Sequence, residues 1–321
     1  MARNLNLPSP ERRLDWIHRD NPDGKGQSWL LFDGDQEMPI ASCSGIRRRY
    51  QMGGKKYSAI LLADVNCNPE YRYALPSVTL QRAIREEFLL GEFQADFLLC
   101  GPNRSLAAVQ KRAGMENLGT QTRWSKPIRL MRLRRLGRGY SFPTAIGADA
   151  MLAARRMLPA RRSGEVEILE GLAGKEFDDL EHRLPRSPDA LHPTRGTKFV
   201  QWRFQHHPFH FHEILTLRRS KVLQGYLVLN SRHDGARMVA DLRVRDQADF
   251  QTLIQAAERH SDQSGAGALW MNLNSNSPYQ PWLEAAGFRS RSNPIQITAQ
   301  WRRSDLNKLA VGSLLDCDFD V

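Results

Sequence analysis

The chain has 321 residues, 41% hydrophobic and 25% charged, a composition that excludes intrinsic disorder and suffices for two packed domains. Its net charge of +11 favours anionic partners (CoA phosphates, sugar nucleotides, RNA or an acidic membrane face) without choosing among them, and is equally compatible with a basic solvated surface. "MARNLNLPSPERRLDW" has no secretory apolar run, no stretch nears the roughly 20 apolar residues of a membrane helix, and Cys43, Cys67, Cys100 and Cys317 lack CxxC spacing, so the reading is a cytoplasmic protein with reduced thiols.

In chain order, "SPERRLDWIHRD" predicts a helix, and "SWLLFD", "PIASCSGIRRRY" and "KYSAILLADV" predict three strands, the last two joined across Met52-Gly53-Gly54. "SVTLQRAIREEFLL" reads as a helix with Val78, Ile84, Phe88 and Leu89 as core candidates. "DFLLC" is a strand, "RSLAAVQKRAG" a helix and "NLGTQTRWSKPI" a strand. Residues 129–163 are arginine-rich with Gly and Pro punctuation. They read as a basic linker for nucleic acid, a phosphorylated substrate or a membrane face, or as a solvated connector with one short helix at "ADAMLAARRML".

Beyond the linker, "EVEILEG" is a strand, and "KEFDDLEHRL" and "GTKFVQWRF" are helices. "FHEILTLRRS" and "KVLQGYLVLNS" form a hairpin, and "GARMVADLRV" is a strand opened by Asp234 and Gly235. "ADFQTLIQAAERHSD" is an amphipathic helix with Phe250, Leu253, Ile254 and Ala257 on one face. "ALWMNLN" is a buried strand. "SPYQPWLEAAGF" is a helix capped by Ser277, with Pro278 in its first turn and Gly287 at its end, and "PIQITAQW" closes the sheet. The tail, 304–321, either supplies a strand missing from the first half or lies on the surface.

The two halves repeat one plan. Trp16 matches Trp202, Pro22 matches Pro208, Ala63-Asp64 matches Ala240-Asp241, and Gly114-Met115 matches Gly287-Phe288, all in the same order. With "NPEYRYALPSVTLQRAI", "GPNRSLAAVQKRAGM" and "WLEAAGF", this order resembles the GNAT acyltransferase plan. The chain is similar to tandem GNAT proteins associated with bacterial polysaccharide and cell-envelope functions, which are related to the Fem-type aminoacyl transferases. The resemblance implies an α/β fold of two GNAT-like domains, each a mixed central sheet flanked by helices. Residues 1–128 form the first domain, lacking the plan's first strand and helix. The linker is 129–163, and 164–303 is the second domain.

In that superfamily a Pro-x-x-Arg-Gly-x-Gly-type loop opens a helix and turns its N–H groups to the CoA pyrophosphate. Pro69, Tyr71 and Arg72 match its lead-in, Tyr73 and Leu75 stand at the glycine positions, Ser77 takes the last position, and Pro76 removes one donor. The resemblance implies an acyl-CoA co-substrate held by Val65, Asn66, Arg72, Tyr73, Ala74, Leu75, Ser77 and Val78, with Asn103 and Ser105 from "PNRS", which is also a good helix cap. Asp246 and Asp249 at the matching helix start make the second copy the poorer anion site. The position of the family's acidic tyrosine holds Gln110 and Leu283, with Tyr279 one turn before the latter.

Acyl transfer to an amine or hydroxyl needs a proton acceptor. The candidates are Asp64 and Glu70 at the end of the central strand, and His210 and His212 of "QHHPFHFHEI", which alternate on a predicted strand and share a face. Asp64 and Asp241 also suit a structural role at strand ends. The histidines also read as exposed residues at a hairpin start, and their pattern matches no zinc signature, so no metal is expected. The function expected is acyl transfer from acyl-CoA, an anionic donor, to a sugar or envelope precursor. The alternatives are a Fem-type transferase using charged tRNA and a non-catalytic GNAT-like binding module.

Overall fold

The computed structural model describes residues 9–34, 37–101, 103–135, 137, 139, 141–157, 164–185, 188, 190–231, 235–275, 277–291, 294–302 and 310–311. Helix α1 (Pro10–His18) precedes β1 (Gln27–Leu31), β2 (Ala41–Met52) and β3 (Lys55–Cys67). Gly53 and Gly54 adopt φ of 52° and 80° between β2 and β3, as a two-residue hairpin turn of right-handed strands requires. A 3-10 turn (Pro69–Ala74) leads into α2 (Pro76–Leu90), then β4 (Phe97–Cys100), α3 (Arg104–Arg112) and β5 (Glu116–Pro127).

Two helices follow, α4 (Leu130–Arg135) and α5 (Phe142–Met157), where the sequence predicted a connector with one short helix. The second repeat comprises β6 (Glu165–Ile168), α6 (Glu176–Arg183), β7 (Ala190–Pro193) and α7 (Thr197–Val200), which runs on through a π turn to Gln205. Next come β8 (His212–Arg219), β9 (Val222–Ser231), β10 (Ala236–Val244), α8 (Gln247–Gln263) and β11 (Ala268–Asn274). Helix α9 (Gln280–Ala285), β12 (Arg289–Ser290), β13 (Ile295–Trp301) and β14 (Ala310–Val311) complete the described chain. Helix α9 starts two residues later than predicted. Pro281 sets its first turn and Tyr279 is its cap residue, while the Ser277 hydroxyl accepts the Tyr279 N–H in the preceding turn.

The architecture is mixed α/β, with helices flanking one large sheet. Its strand order is β14-β7-β2-β3-β4-β13-β5-β11-β10-β9-β8-β6, with β1 on β2 and β12 on β5. Each repeat gives its last long strand to the other. β13 lies between β4 and β5 of the first repeat, in register Thr298↔Cys100 and Ile295↔Gln121. β5 in turn pairs with β11 of the second repeat, Ala268↔Pro127. "PIQITAQW" therefore completes the sheet of the first repeat and not that of its own. All four residues of β4 are buried, and such a strand needs a neighbour on both sides.

The main core is correspondingly shared. Trp16, Phe97 and Trp124 belong to one cluster with Phe199, Leu227, Phe250, Met271 and Trp301. A smaller core of Cys43, Ile60, Leu80, Ile84, Phe88 and Leu98 lies under α2. Gly114 and Gly287 close their helices at φ of 85° and 86°. Arg129 pairs with Asp262 through two bonds of 2.9 and 2.8 Å, and Arg132 bonds Asp262 and the Ala266 carbonyl, which fixes the linker to α8. In the tail, Ala310–Val311 pair with β7, which itself pairs with β2; the rest of the tail lies outside the described residues.

Candidate functional site

β3 and β4 are bonded only over Ala59–Leu61 and Phe97–Leu99. β3 then runs on to Cys67 with β2 alone, and the two strands splay apart. The gap opens into a cleft of 690 Å³ lined by Val65, Asn66 and Cys67 of β3, Leu75, Pro76, Ser77 and Val78 at the start of α2, and Asn103, Ser105, Leu106 and Val109 of α3. Seven of the expected donor-site residues thus come together. The side chains of Arg72, Tyr73 and Ala74 lie outside the described residues. Leu106 and Val109 were missed; their signal was the i, i+3 spacing on the helix that starts beside Ser105.

The entry to α2 retains the geometry of a glycine loop without its glycines. Leu75 stands at a glycine position of the resembled motif and adopts φ of 55° and ψ of 39°, a left-handed conformation that costs a leucine on the order of 1 kcal/mol. No side chain caps the helix. Pro76 has no N–H, the N–H of Val78 bonds the Leu75 carbonyl at 2.9 Å, and that of Ser77 has no partner among the described residues. The helix N-terminus is therefore open to an anion. The Asn103 side chain accepts the Leu106 N–H at 2.9 Å as the α3 cap, and the residue also lines the cleft.

β3 carries a bulge where it enters the cleft. Ser42 pairs with Asn66 and Ser44 with Ala63, so Asp64 and Val65 together face Cys43. Asp64 holds φ of 50° and is fixed by Arg13 through bonds of 3.2 and 2.9 Å, both side chains being nearly buried. The bulge takes main chain out of the ladder at the cleft wall. Glu70 is exposed on the 3-10 turn and does not line the cleft. Gln110 is fully buried and donates to Gln81 at 2.9 Å. Burial pushes the Cys43 thiol up to about 12 and raises that of Cys100 further, so neither is a nucleophile at neutral pH.

The histidines belong to the second repeat but sit against the first. His207, not singled out from the sequence, contacts the Trp16 ring at 4.4 Å, and its ring centroid is 4.8 Å from that of His210 and 5.3 Å from that of His212. His210 precedes β8, so it and His212 do not alternate on one strand as predicted; the main chain instead turns to give the Phe209 and His210 N–H groups to His207 Nδ1, at 3.2 and 3.1 Å. Burial, then Arg203 and the two neighbouring histidines, push His207 down to about 2, so the ring is neutral with its proton on Nε2. His212 uses the same nitrogen differently: its Nδ1–H donates to the Phe204 carbonyl at 3.2 Å. Among the described residues no group of three or more His, Cys, Asp and Glu side chains could hold a metal ion.

The matching region of the second repeat is occupied by its own side chains. Asp246 accepts the Ala248 and Asp249 N–H groups, both at 3.0 Å, and Asp249 pairs with Arg219. Tyr279 is buried against Phe250 and Trp282, and Leu283 is fully buried. Asp241, next to a matching bulge at Ala240, pairs with Arg195 at 2.8 Å and accepts the Tyr226 hydroxyl at 2.7 Å, with all three side chains buried. Burial, reinforced by Asp241, holds the Tyr226 hydroxyl well above the usual tyrosine range.

No family model matches the chain, and no curated protein is significantly similar in sequence. Solved structures are similar in fold. A probable N-acyltransferase from Enterococcus faecalis superposes with a TM-score of 0.61 at 11% identity, over 87% of this chain and 62% of the other. A GCN5-related N-acetyltransferase from Anabaena variabilis gives 0.62 at 13%, over 90% and 65%. The chain thus spans less than two thirds of the length of either protein. N-myristoyltransferase from Saccharomyces cerevisiae, with bound myristoyl-CoA, gives 0.59 at 11%, over 90% and 73%. The fold of this chain is accordingly GNAT-like.

Proposed function

We propose that the protein is an acyltransferase that takes an acyl group from acyl-CoA in the cleft of the first repeat and passes it to an amine or hydroxyl, on a sugar or cell-envelope precursor. The observation that carries this reading is Leu75. A leucine held in a left-handed conformation, at the uncapped start of a helix beside a 690 Å³ cleft, is backbone strain stored where a phosphate would sit. The second repeat, with the same plan, fills that place with Asp246 and serves as structure.

The cleft suits the donor in shape and polarity. The Ser77 N–H and the α2 terminus face a pyrophosphate. The apolar residues Val65, Leu106 and Val109 flank the pantetheine arm, and main chain at the β3 bulge polarises the thioester carbonyl. Asp64, already tied to Arg13, holds the bulge in place. His212 is the better base, because its Nδ1–H is held by the Phe204 carbonyl and its ring packs on His207, which contacts Trp16 on the helix that carries Arg13. The acceptor nitrogen or oxygen attacks the thioester carbon, its proton goes to the base, the C–S bond breaks, and CoA leaves as the thiolate. A second reading, binding without turnover, is favoured by Gln110, which is buried on α3 where the resembled family places an acid.

The test is calorimetric titration with CoA, acetyl-CoA and longer acyl-CoAs, with Ser77→Glu to place a carboxylate at the helix start. Micromolar binding lost in the variant establishes the donor site, and thiol release with candidate acceptors separates turnover from binding alone. No heat with any of these up to millimolar concentration sinks the CoA reading and shifts the weight to charged tRNA or a non-catalytic role.

A further inference from the structure

Helix α5 (Phe142–Met157) presents an outer face of unusual character. One side is anchored: Ala145 is fully buried, and the Asp149 carboxylate accepts the Leu130 N–H at 2.6 Å and the Met131 N–H at 3.3 Å. The opposite side should carry the charges of a solvated helix. It carries none. Phe142, Ile146 and Met151 are 51%, 49% and 53% exposed, with Pro143, Gly147 and Ala150 exposed between them. Between Phe142 and Met151 the one charge is Asp149, and it is turned inward.

The cations lie at the borders. Residues 129–163 hold nine arginines and one acid, a net +8 of the chain's +11. Arg129 and Arg132 are bound to Asp262, but Arg134 and Arg135 are exposed, with the Arg134 guanidinium 5.5 Å from the Phe142 ring centroid. In sequence, Arg155, Arg156, Arg161 and Arg162 follow at the other end.

From this arrangement we propose that α5 lies in the headgroup region of an acidic phospholipid bilayer, with Phe142, Ile146 and Met151 inserted and the bordering arginines on lipid phosphates. Apolar burial and electrostatic attraction add in such an interfacial helix. RNA would need cations along the face itself, where the described side chains carry none. A second copy would bring its own arginine border against this one. The surface is separate from the cleft, so the proposal stands or falls independently of the donor.

The experiment is flotation of the full chain with vesicles of mixed phosphatidylglycerol and phosphatidylcholine, and of phosphatidylcholine alone. The protein is expected to float with the acidic vesicles and much less with the neutral ones. Partition should fall about tenfold or more in an Ile146→Asp/Met151→Asp variant, and also in Arg134→Glu/Arg135→Glu. These positions are exposed, so thermal melts should stay close to those of the unaltered chain. Failure of the unaltered chain to float, or equal flotation of the Asp variant, overturns the proposal. Retention of tRNA on filters without any vesicle binding also overturns it and assigns the charge to nucleic acid.

Discussion

Trp16 and Trp202 each donate the indole N–H to the other's main-chain carbonyl, at 2.9 and 2.8 Å, with their rings stacked 5.0 Å apart. The contact is reciprocal, like one across a twofold axis. It joins α1 to the turn that follows α7 and lies inside the shared core. With the exchanged strands, it makes the repeats interdependent.

Unfolding in urea should therefore show one transition across both repeats, not two. Trp202→Ala should lower stability by about 3–5 kcal/mol, and Trp202→Phe by about 1–2 through loss of one buried bond. Far-ultraviolet circular dichroism and fluorescence followed together would reveal any second transition and so expose independent domains.

The Arg13–Asp64 pair should show strong coupling. Asp64→Asn leaves a nearly buried guanidinium without its carboxylate and should cost about 3 kcal/mol. The double change Arg13→Met/Asp64→Asn should cost less than the sum of the single changes. Additive losses in urea would mean that the pair does not hold the bulge.

The two helix starts should respond differently. Asp246→Ala removes a cap and should cost about 1 kcal/mol of stability without changing CoA affinity. Ser77→Glu should weaken CoA binding more than tenfold with little change in stability, since a carboxylate repels phosphate there. CoA affinity measured for both variants, beside melting curves, checks the asymmetry between the repeats.

His207 should make stability fall with acid. Its folded value of about 2 lies below the ordinary 6.5, so below pH 6.5 the unfolded chain binds a proton that the folded ring refuses. The lowered His18 and His260 act with the same sign. Allowing for partial exposure, His207 should contribute about 1 kcal/mol per pH unit between pH 6 and 4. His207→Gln, which keeps an acceptor for the two N–H groups, should flatten the slope of urea midpoints against pH.

Thiol labelling should discriminate among the cysteines. Cys67 is half-buried and lines the cleft, while Cys43 and Cys100 are buried with raised pKa. In a Cys317→Ser background, Cys67 should react first, and CoA should slow its reaction. Equal rates with and without CoA would place the donor elsewhere.

Taken alone, the sequence determined the local elements. Apolar alternation marked the strands, "PNRS" marked a cap that Asn103 does form, and the paired Ala-Asp steps fell on bulges in both copies. Local chemistry suffices there, because caps, turns and amphipathic faces are set by residues a few positions apart. Only the tertiary structure decided which strands meet, since an apolar pattern makes "PIQITAQW" a strand without naming its neighbour. It also decided that Leu75 holds a glycine's conformation, that Arg13 reaches Asp64 across 51 residues, and that His207 of one repeat lies on Trp16 of the other. Those contacts depend on burial and hydrogen-bond pairing between distant segments, which no local spacing encodes.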